Sequence, residues 1–385
     1  MRENDTVNVS DLLLLGQGSD LASERGVSCD GQLPPASDPD LLSRARAARK
    51  ILGTDALILG HHYQRNEVIE FADITGDSFK LAQEAANQSS VENIIFCGVH
   101  FMAESADILT SERQKIILPD LAAGCSMADM ATANQVTQCW SDLQSNGVAD
   151  QVIPVTYMNS SAAIKSFTGE HGGTICTSSN AEAAMKWAFS QGEKILFLPD
   201  QHLGRNTAVL SLGLTLEDCV LWNPWKPMGG LTEEQIKRAK VLLWRGHCSV
   251  HGRFSIESVN EIRSRVPGVQ VLVHPECTHE VVSAADKIGS TERIIKIVQA
   301  SPAGSKWAIG TELNLVQRIS QNNPDKEIYF LDKDICYCST MNRIDLPHLV
   351  WAMESLVNGT VVNQIRVAPE IAKYSKLALE RMLAL

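Results

Sequence analysis

From residue 41 to the end, short apolar runs alternate with longer stretches in which apolar positions recur every three or four residues. Such alternation marks parallel sheets covered by helices and predicts an α/β fold. Residues 1–40 depart from it. They are rich in Asp, Ser, Gly and Pro and end in Leu33-Pro34-Pro35-Ala36-Ser37-Asp38-Pro39, which predicts a poorly ordered extension.

The runs repeat in a fixed order, three times over. A first run ends in a polar cluster: Ala56–Gly60 before His61-His62-Tyr63, Val152–Thr156 before Tyr157-Met158-Asn159, and Val271–Val273 before His274-Pro275-Glu276. Pro154 weakens the middle strand, because proline fits poorly inside a central strand. A hydroxyl residue placed like a helix N-cap follows each cluster, namely Ser78, Ser178 and Thr291, with a helical pattern after it. Second runs come next at Ile94–Phe96, Ile195–Phe197 and Trp307–Ile309. Third runs lead towards a cysteine: Ile116–Leu118 to Cys125, Val220–Trp222 to Cys248, and Ile328–Phe330 to Cys338.

His61 to Cys125 and His274 to Cys338 both span 64 residues, whereas Tyr157 to Cys248 spans 91. The middle unit therefore carries an insertion, placed by its Pro and Gly content between Trp222 and Leu231. The predicted organisation is an extension at 1–40, αβα units at 41–130, 131–250 and 251–345, and C-terminal helices at 346–385. Ligands of open parallel sheets bind beyond the carboxyl ends of the strands, so three such edges facing one another would enclose one site.

Composition narrows the chemistry. A chain of 385 residues with 44% apolar and 21% charged residues can bury real cores. Its net charge of −11 argues against a nucleic-acid partner. No run approaches the roughly 18 apolar residues of a membrane span, and no export signal is visible, so a cytoplasmic protein is expected. In a reducing compartment its ten cysteines are thiols rather than disulfides, free to bind metal or to pack as small apolar residues.

One cysteine per unit is the strongest chemical feature. Three thiolates converging on a pseudo-threefold axis can hold three irons of a four-iron, four-sulfur cluster and leave the fourth free. The same three fit equally well as small core residues, since there is no CxxC pair, and Cys336 lies two residues from Cys338. His61, Tyr63, His274 and Glu276 lie just past strand ends, where polar side chains reach a cleft. Ser78, Ser178 and Thr291 serve as caps or, at helix N-termini, as anion-binding groups.

Several ordered segments resemble the quinolinate synthase family: Gly60-His61-His62-Tyr63-Gln64, Gly76-Asp77-Ser78, Gly98–Glu104, Tyr157-Met158-Asn159-Ser160, Gly246–His251 and His274-Pro275-Glu276-Cys277. The resemblance runs from about Asp55 to the C-terminus. It implies three αβα sandwich domains, related by pseudo-threefold symmetry around a central site, and a 4Fe-4S cluster held by Cys125, Cys248 and Cys338. Cys338 is favoured over Cys336 because Met341 follows it three residues on. It also implies condensation of iminoaspartate with dihydroxyacetone phosphate for NAD biosynthesis, with an L-aspartate oxidase supplying the imine and the free iron acting as a Lewis acid.

The implied catalytic residues are Tyr63, Glu276 and His61. The implied substrate-binding residues are His61, Ser78, Tyr157, Met158, Asn159, Ser178, His274, Pro275, Glu276 and Thr291. Two other readings remain at this stage: a different iron-sulfur hydro-lyase, and a non-catalytic metal or redox-sensing protein whose metal is fully ligated.

Overall fold

The computed structural model describes residues 33–333 and 337–385, so most of the predicted extension, together with Cys336, lies outside the described residues. Three sheets organise the chain. Unit 1 contains β1 (Ala56–His61), β2 (Ile74–Gly76), β3 (Asn93–Cys97) and β4 (Lys115–Ile117). Unit 2 contains β5 (Val152–Tyr157), β6 (Thr174–Cys176), β7 (Lys194–Leu198), β8 (Cys219–Trp222) and β9 (Val241–Trp244). Unit 3 contains β10 (Gln270–Val273), β11 (Lys287–Ile288), β12 (Lys306–Gly310) and β13 (Glu327–Phe330), and β14 (Gln364–Ile365) comes last.

The sheet orders are β4-β3-β1-β2, β9-β7-β5-β6 and β13-β12-β10-β11, with β8 added outside β9 and β14 outside β4. Apart from β14, which runs antiparallel to β4, all pairings are parallel. Each unit thus repeats one topology, and all nine sequence-read runs form strands. One assignment needs correcting. The third strand of unit 2 that matches β4 and β13 is β9, not the Val220–Trp222 run, which became β8 at the sheet edge. The insertion is accordingly larger than the Trp222–Leu231 stretch: between β7 and β9 it brings in the helical segment Gln201–Ser211 as well as β8.

The helix starts also differ from expectation. Asp77 caps the helix Ser78–Asn87, its carboxylate accepting from the N–H groups of Phe79 and Lys80. Ser290 occupies the N-cap position before Thr291–Ala300, and Asn180 that before Ala181–Gln191. Ser78 and Thr291 therefore open their helices as first residues, and Ser178 sits in the preceding turn. Their hydroxyls are not spent on capping.

Units 1 and 2 share a continuous core that also takes in Met341, Leu349–Met353 and Met382, while unit 3 packs separate clusters on the two faces of its sheet. The C-terminal segment clasps the first two units. Helix Leu346–Val357 packs on helix Leu41–Leu52, β14 extends the first sheet, and helix Pro369–Ala384 lies along helix Ala162–Glu170. The last contact requires glycine at 169, because a Cβ there would come within 1.9 Å of the Tyr374 carbonyl oxygen. Unit 3 is held to unit 1 at the end of β1: Asn314 Nδ2 donates to the Tyr63 carbonyl at 3.0 Å and Arg318 to that of Gln64 at 2.7 Å.

Candidate active site

The carboxyl ends of the three sheets face one cavity, with about 680 Å³ of empty space when the solvent at its mouth is included. Its wall includes His61, Tyr63, Ser78, Tyr157, Asn159, Ser178, His274, Glu276, Thr291, Cys125, Cys248 and Cys338. Twelve of the fourteen residues marked out in the sequence thus come together. Met158 and Pro275 do not line the cavity. Met158 is buried, with its N–H donated to the Cys176 carbonyl, and the Pro275 carbonyl accepts from Asn206.

Two strand ends share a local design. After β1, His61 Nδ1 accepts the Tyr63 N–H at 3.1 Å; after β10, His274 Nδ1 accepts the Glu276 N–H at 3.3 Å. Burial, reinforced by the neighbouring His62 and His251 respectively, holds both imidazoles near 3, so each is neutral at pH 7. With Nδ1 accepting, the proton sits on Nε2. His274 Nε2 lies 3.2 Å from Ser178 Oγ.

The residues they support differ in charge. Burial, and then the nearby Glu276 carboxylate, push the Tyr63 phenol well above its ordinary value, so it keeps its proton. For Glu276, burial acts upward, but the adjoining His251 and the hydrogen bonds that it and Tyr157 donate outweigh it, leaving the carboxyl below the usual range. The Tyr157 hydroxyl donates to Glu276 Oε1, and His251 Nδ1 lies 2.9 Å from Oε2. A hydrogen-bonded path continues from His251 Nε2 to Thr311 Oγ1 at 3.1 Å, from there to Tyr63 Oη at 3.0 Å, and on to Thr291 Oγ1 at 3.0 Å.

His251 and Thr311 belong to this network but were not read from the sequence as functional. His251 had one local signal, its position three residues after Cys248, which brings its ring to 3.2 Å from the sulfur. Thr311 follows β12 directly, at a strand end equivalent to those that carry Gly98 and Pro199. Ser179 Oγ lies 3.0 Å from both Asp77 Oδ2 and Ser290 Oγ, joining the helix starts of all three units. Asn159 adds an open valence: its Oδ1 is buried without a partner among the described residues.

The three cysteines, one per unit, are half-buried free thiols. Burial raises each: Cys125 to about 12, where Cys338 adds to the effect, Cys248 well above its usual value, and Cys338 upward. Thiolates here need a cation to compensate them. Cys248, His251 and Glu276 also form a trio whose donor atoms lie within 4.8 Å of one another, which could hold a single metal ion.

The family model of the quinolinate synthetase A protein matches residues 44–384. The chain is 69% identical over 376 residues to a quinolinate synthase of Streptomyces coelicolor, covering 97% of this chain and 95% of the relative. It is 67% identical over 380 residues to that of a Nocardioides species, covering 97% and 96%, and 55% identical over 349 residues to that of Corynebacterium glutamicum, covering 91% and 88%. A solved structure, the E-1-hydroxy-2-methyl-but-2-enyl-4-diphosphate reductase from Plasmodium falciparum, is similar over 75% of this chain and 77% of its own. At 11% identity and a TM-score of 0.25, that likeness carries no argument.

Proposed function

The chain belongs to the quinolinate synthase family, and on that premise we propose that its central cavity condenses iminoaspartate with dihydroxyacetone phosphate, releasing phosphate and water as the pyridine ring closes. It is an enzyme of NAD biosynthesis. The observation that carries the reading is one cysteine from each unit on the wall of a cavity that also holds the hydroxyls of Ser78, Ser178 and Thr291.

The residues present fit an iron-sulfur group. Three soft sulfur donors, none in a disulfide, lie in a wall shared with Val99, Phe101, Met127 and Met341. Cys125, Cys248 and Cys338 would hold a 4Fe-4S cluster, and an iron without a cysteine ligand supplies Lewis-acid chemistry to a substrate oxygen. The protein's own groups do the rest. Glu276, as carboxylate, takes a proton; Tyr63, as phenol, gives one; and His61 directs its Nε2–H at the triose phosphate. Ser78, Ser178 and Thr291, at or beside helix N-termini, receive phosphate and carboxylate oxygens together with Tyr157, Asn159 and His274. The unpartnered Asn159 oxygen supports this, since a buried acceptor without a donor is costly unless substrate supplies one.

All eight described cysteines are free thiols, consistent with a reducing cytoplasm. There an L-aspartate oxidase would supply iminoaspartate. Among the described residues no helix is long and apolar enough to cross a membrane.

The test is anaerobic purification with iron and sulfide analysis, followed by incubation with L-aspartate, L-aspartate oxidase and dihydroxyacetone phosphate and measurement of quinolinate. About four irons and four sulfides per chain are expected. Alanine at Cys125, Cys248 or Cys338 should abolish bound iron, whereas alanine at Cys97 or Cys176 should not. Zinc without sulfide would overturn the cluster assignment, and no quinolinate from cluster-loaded protein would overturn the substrates.

A further inference from the structure

Asn206 ends the helix Gln201–Asn206 within the insertion of unit 2, where α-helix gives way to the π-helical turn Thr207–Ser211. The residue is 3% exposed, and its side chain crosses into unit 3. Nδ2 donates to the Pro275 carbonyl at 2.8 Å and to the Cys277 carbonyl at 2.9 Å, while Oδ1 lies 2.9 Å from His279 Nδ1. Both amide hydrogens are used, and exchanging O for N would set an acceptor against two carbonyl oxygens, so the partners determine the orientation.

The two carbonyls flank Glu276. Beyond β10 the sheet still holds the start of this loop, where the His274 N–H donates to the Gly310 carbonyl at 3.1 Å, and the loop then turns back on itself through a bond from the Cys277 N–H to the His274 carbonyl at 3.0 Å. A side chain gripping the main chain on both sides of Glu276 limits the rotation of the two peptide planes that aim its carboxylate. The π-helical turn begins at the next residue, which fits a local departure from regular helix made at a functional position.

We propose that Asn206 is a positioning residue for Glu276: a clamp from unit 2 that sets the carboxylate of unit 3 in the cavity. The inference rests on Glu276 acting on substrate. Misplacing a reacting group by about an ångström costs on the order of a hundredfold in rate. Loss of the clamp should therefore lower kcat by about ten- to a hundredfold and change each KM by less than about twofold.

The experiment is a double-mutant cycle on the cluster-loaded enzyme with Asn206→Ala and Glu276→Gln, reading kcat, KM, bound iron and melting temperature. The expected result is a slow Asn206→Ala enzyme with unchanged iron, and less than about twofold further loss when the change is added to Glu276→Gln. Asn206→Asp keeps the size and turns the donor into an acceptor facing two carbonyls. It should be equally slow, and it stands in if the alanine variant does not fold. An Asn206→Ala enzyme within twofold of the parent, beside a slow Glu276→Gln, overturns the clamp alone. So does an equal loss from Asn206→Ala in both backgrounds. A slow Asn206→Ala beside a normal Glu276→Gln overturns the assigned role of Glu276, and the clamp with it.

Discussion

The strand ends of units 1 and 3 carry the same device and end in opposite chemistry. In both, a buried neutral histidine accepts the N–H two residues on, and that second residue reaches the cavity. In unit 1 it is Tyr63, whose proton is retained; in unit 3 it is Glu276, whose proton is lost. The difference lies in the partners. Tyr63 meets hydroxyls, Thr291 and Thr311, whereas Glu276 meets donors, Tyr157 and His251. A repeated scaffold thus places a protonated phenol and an ionised carboxylate on one cavity, joined through Thr311 and His251. Unit 2 offers Tyr157 and Asn159 at the corresponding end, and neither is preceded by histidine in this pattern.

The largest test removes the base. Glu276→Gln keeps the shape but cannot take the proton, so turnover should fall by roughly a hundredfold or more while iron and sulfide stay at parental levels. Near-normal turnover would make the carboxylate structural and remove the asymmetry between the two strand ends.

Removing the acid should cost less. Tyr63→Phe leaves the base in place and lets solvent replace the donor in part, so about a tenfold loss of kcat is expected at unchanged cluster content. A loss as large as that of Glu276→Gln would show that the two residues act as one unit.

Smaller still is the effect of the helix-start hydroxyls. Ser78→Ala or Thr291→Ala should raise a Michaelis constant several-fold with little change in melting temperature, since neither residue caps its helix. Asp77→Ala, which removes two cap bonds, should destabilise by about 1 kcal/mol. A drop in melting temperature without a change in KM for Ser78→Ala would reverse this division of labour.

The last effect is in pH and is read in stability rather than in turnover. Folded His61 and His274 titrate near 3, whereas in the unfolded chain they take up protons near 6.5. Between those values the unfolded state binds more protons, so their contribution to stability is complete above about 6.5 and is lost as pH falls towards 3. Melting of the cluster-free protein should drop between about pH 6.5 and 4.5, and less steeply in His61→Gln. Equal slopes would mean that folded His61 accepts a proton in this range.

Nine strands were legible because runs such as Leu57–Leu59 or Ile94–Phe96 are apolar on both faces, as sheets covered on both sides require. The strands Ile74–Gly76, Thr174–Cys176 and Lys287–Ile288 were not, since two or three residues carry no periodicity and their pairing comes from the neighbouring first strand. Val241–Trp244 is strongly apolar, yet the repeat in chain order favoured the earlier Val220–Trp222 run; only sheet order tells them apart. In the site, residues beside a cysteine or at a first-strand end were within reach of sequence reasoning. Thr311 and Asn206 were not, because their roles are defined by partners in other units: Tyr63 for one, Pro275 and Cys277 for the other.

The clasp formed by the C-terminal segment bears on how the protein is made. The strands β1 to β4 leave the ribosome long before Gln364 and Ile365, which pair with the β4 edge. Helix Pro369–Ala384, which lies against Gly169 in unit 2, follows later still. Until then, an unpaired strand edge and an uncovered apolar helix face remain exposed, the surfaces on which nascent chains aggregate. The order of synthesis and the order of assembly therefore differ: units 1 and 2 are translated before unit 3 but completed after it, and the shared core becomes whole only once Met382 has been added.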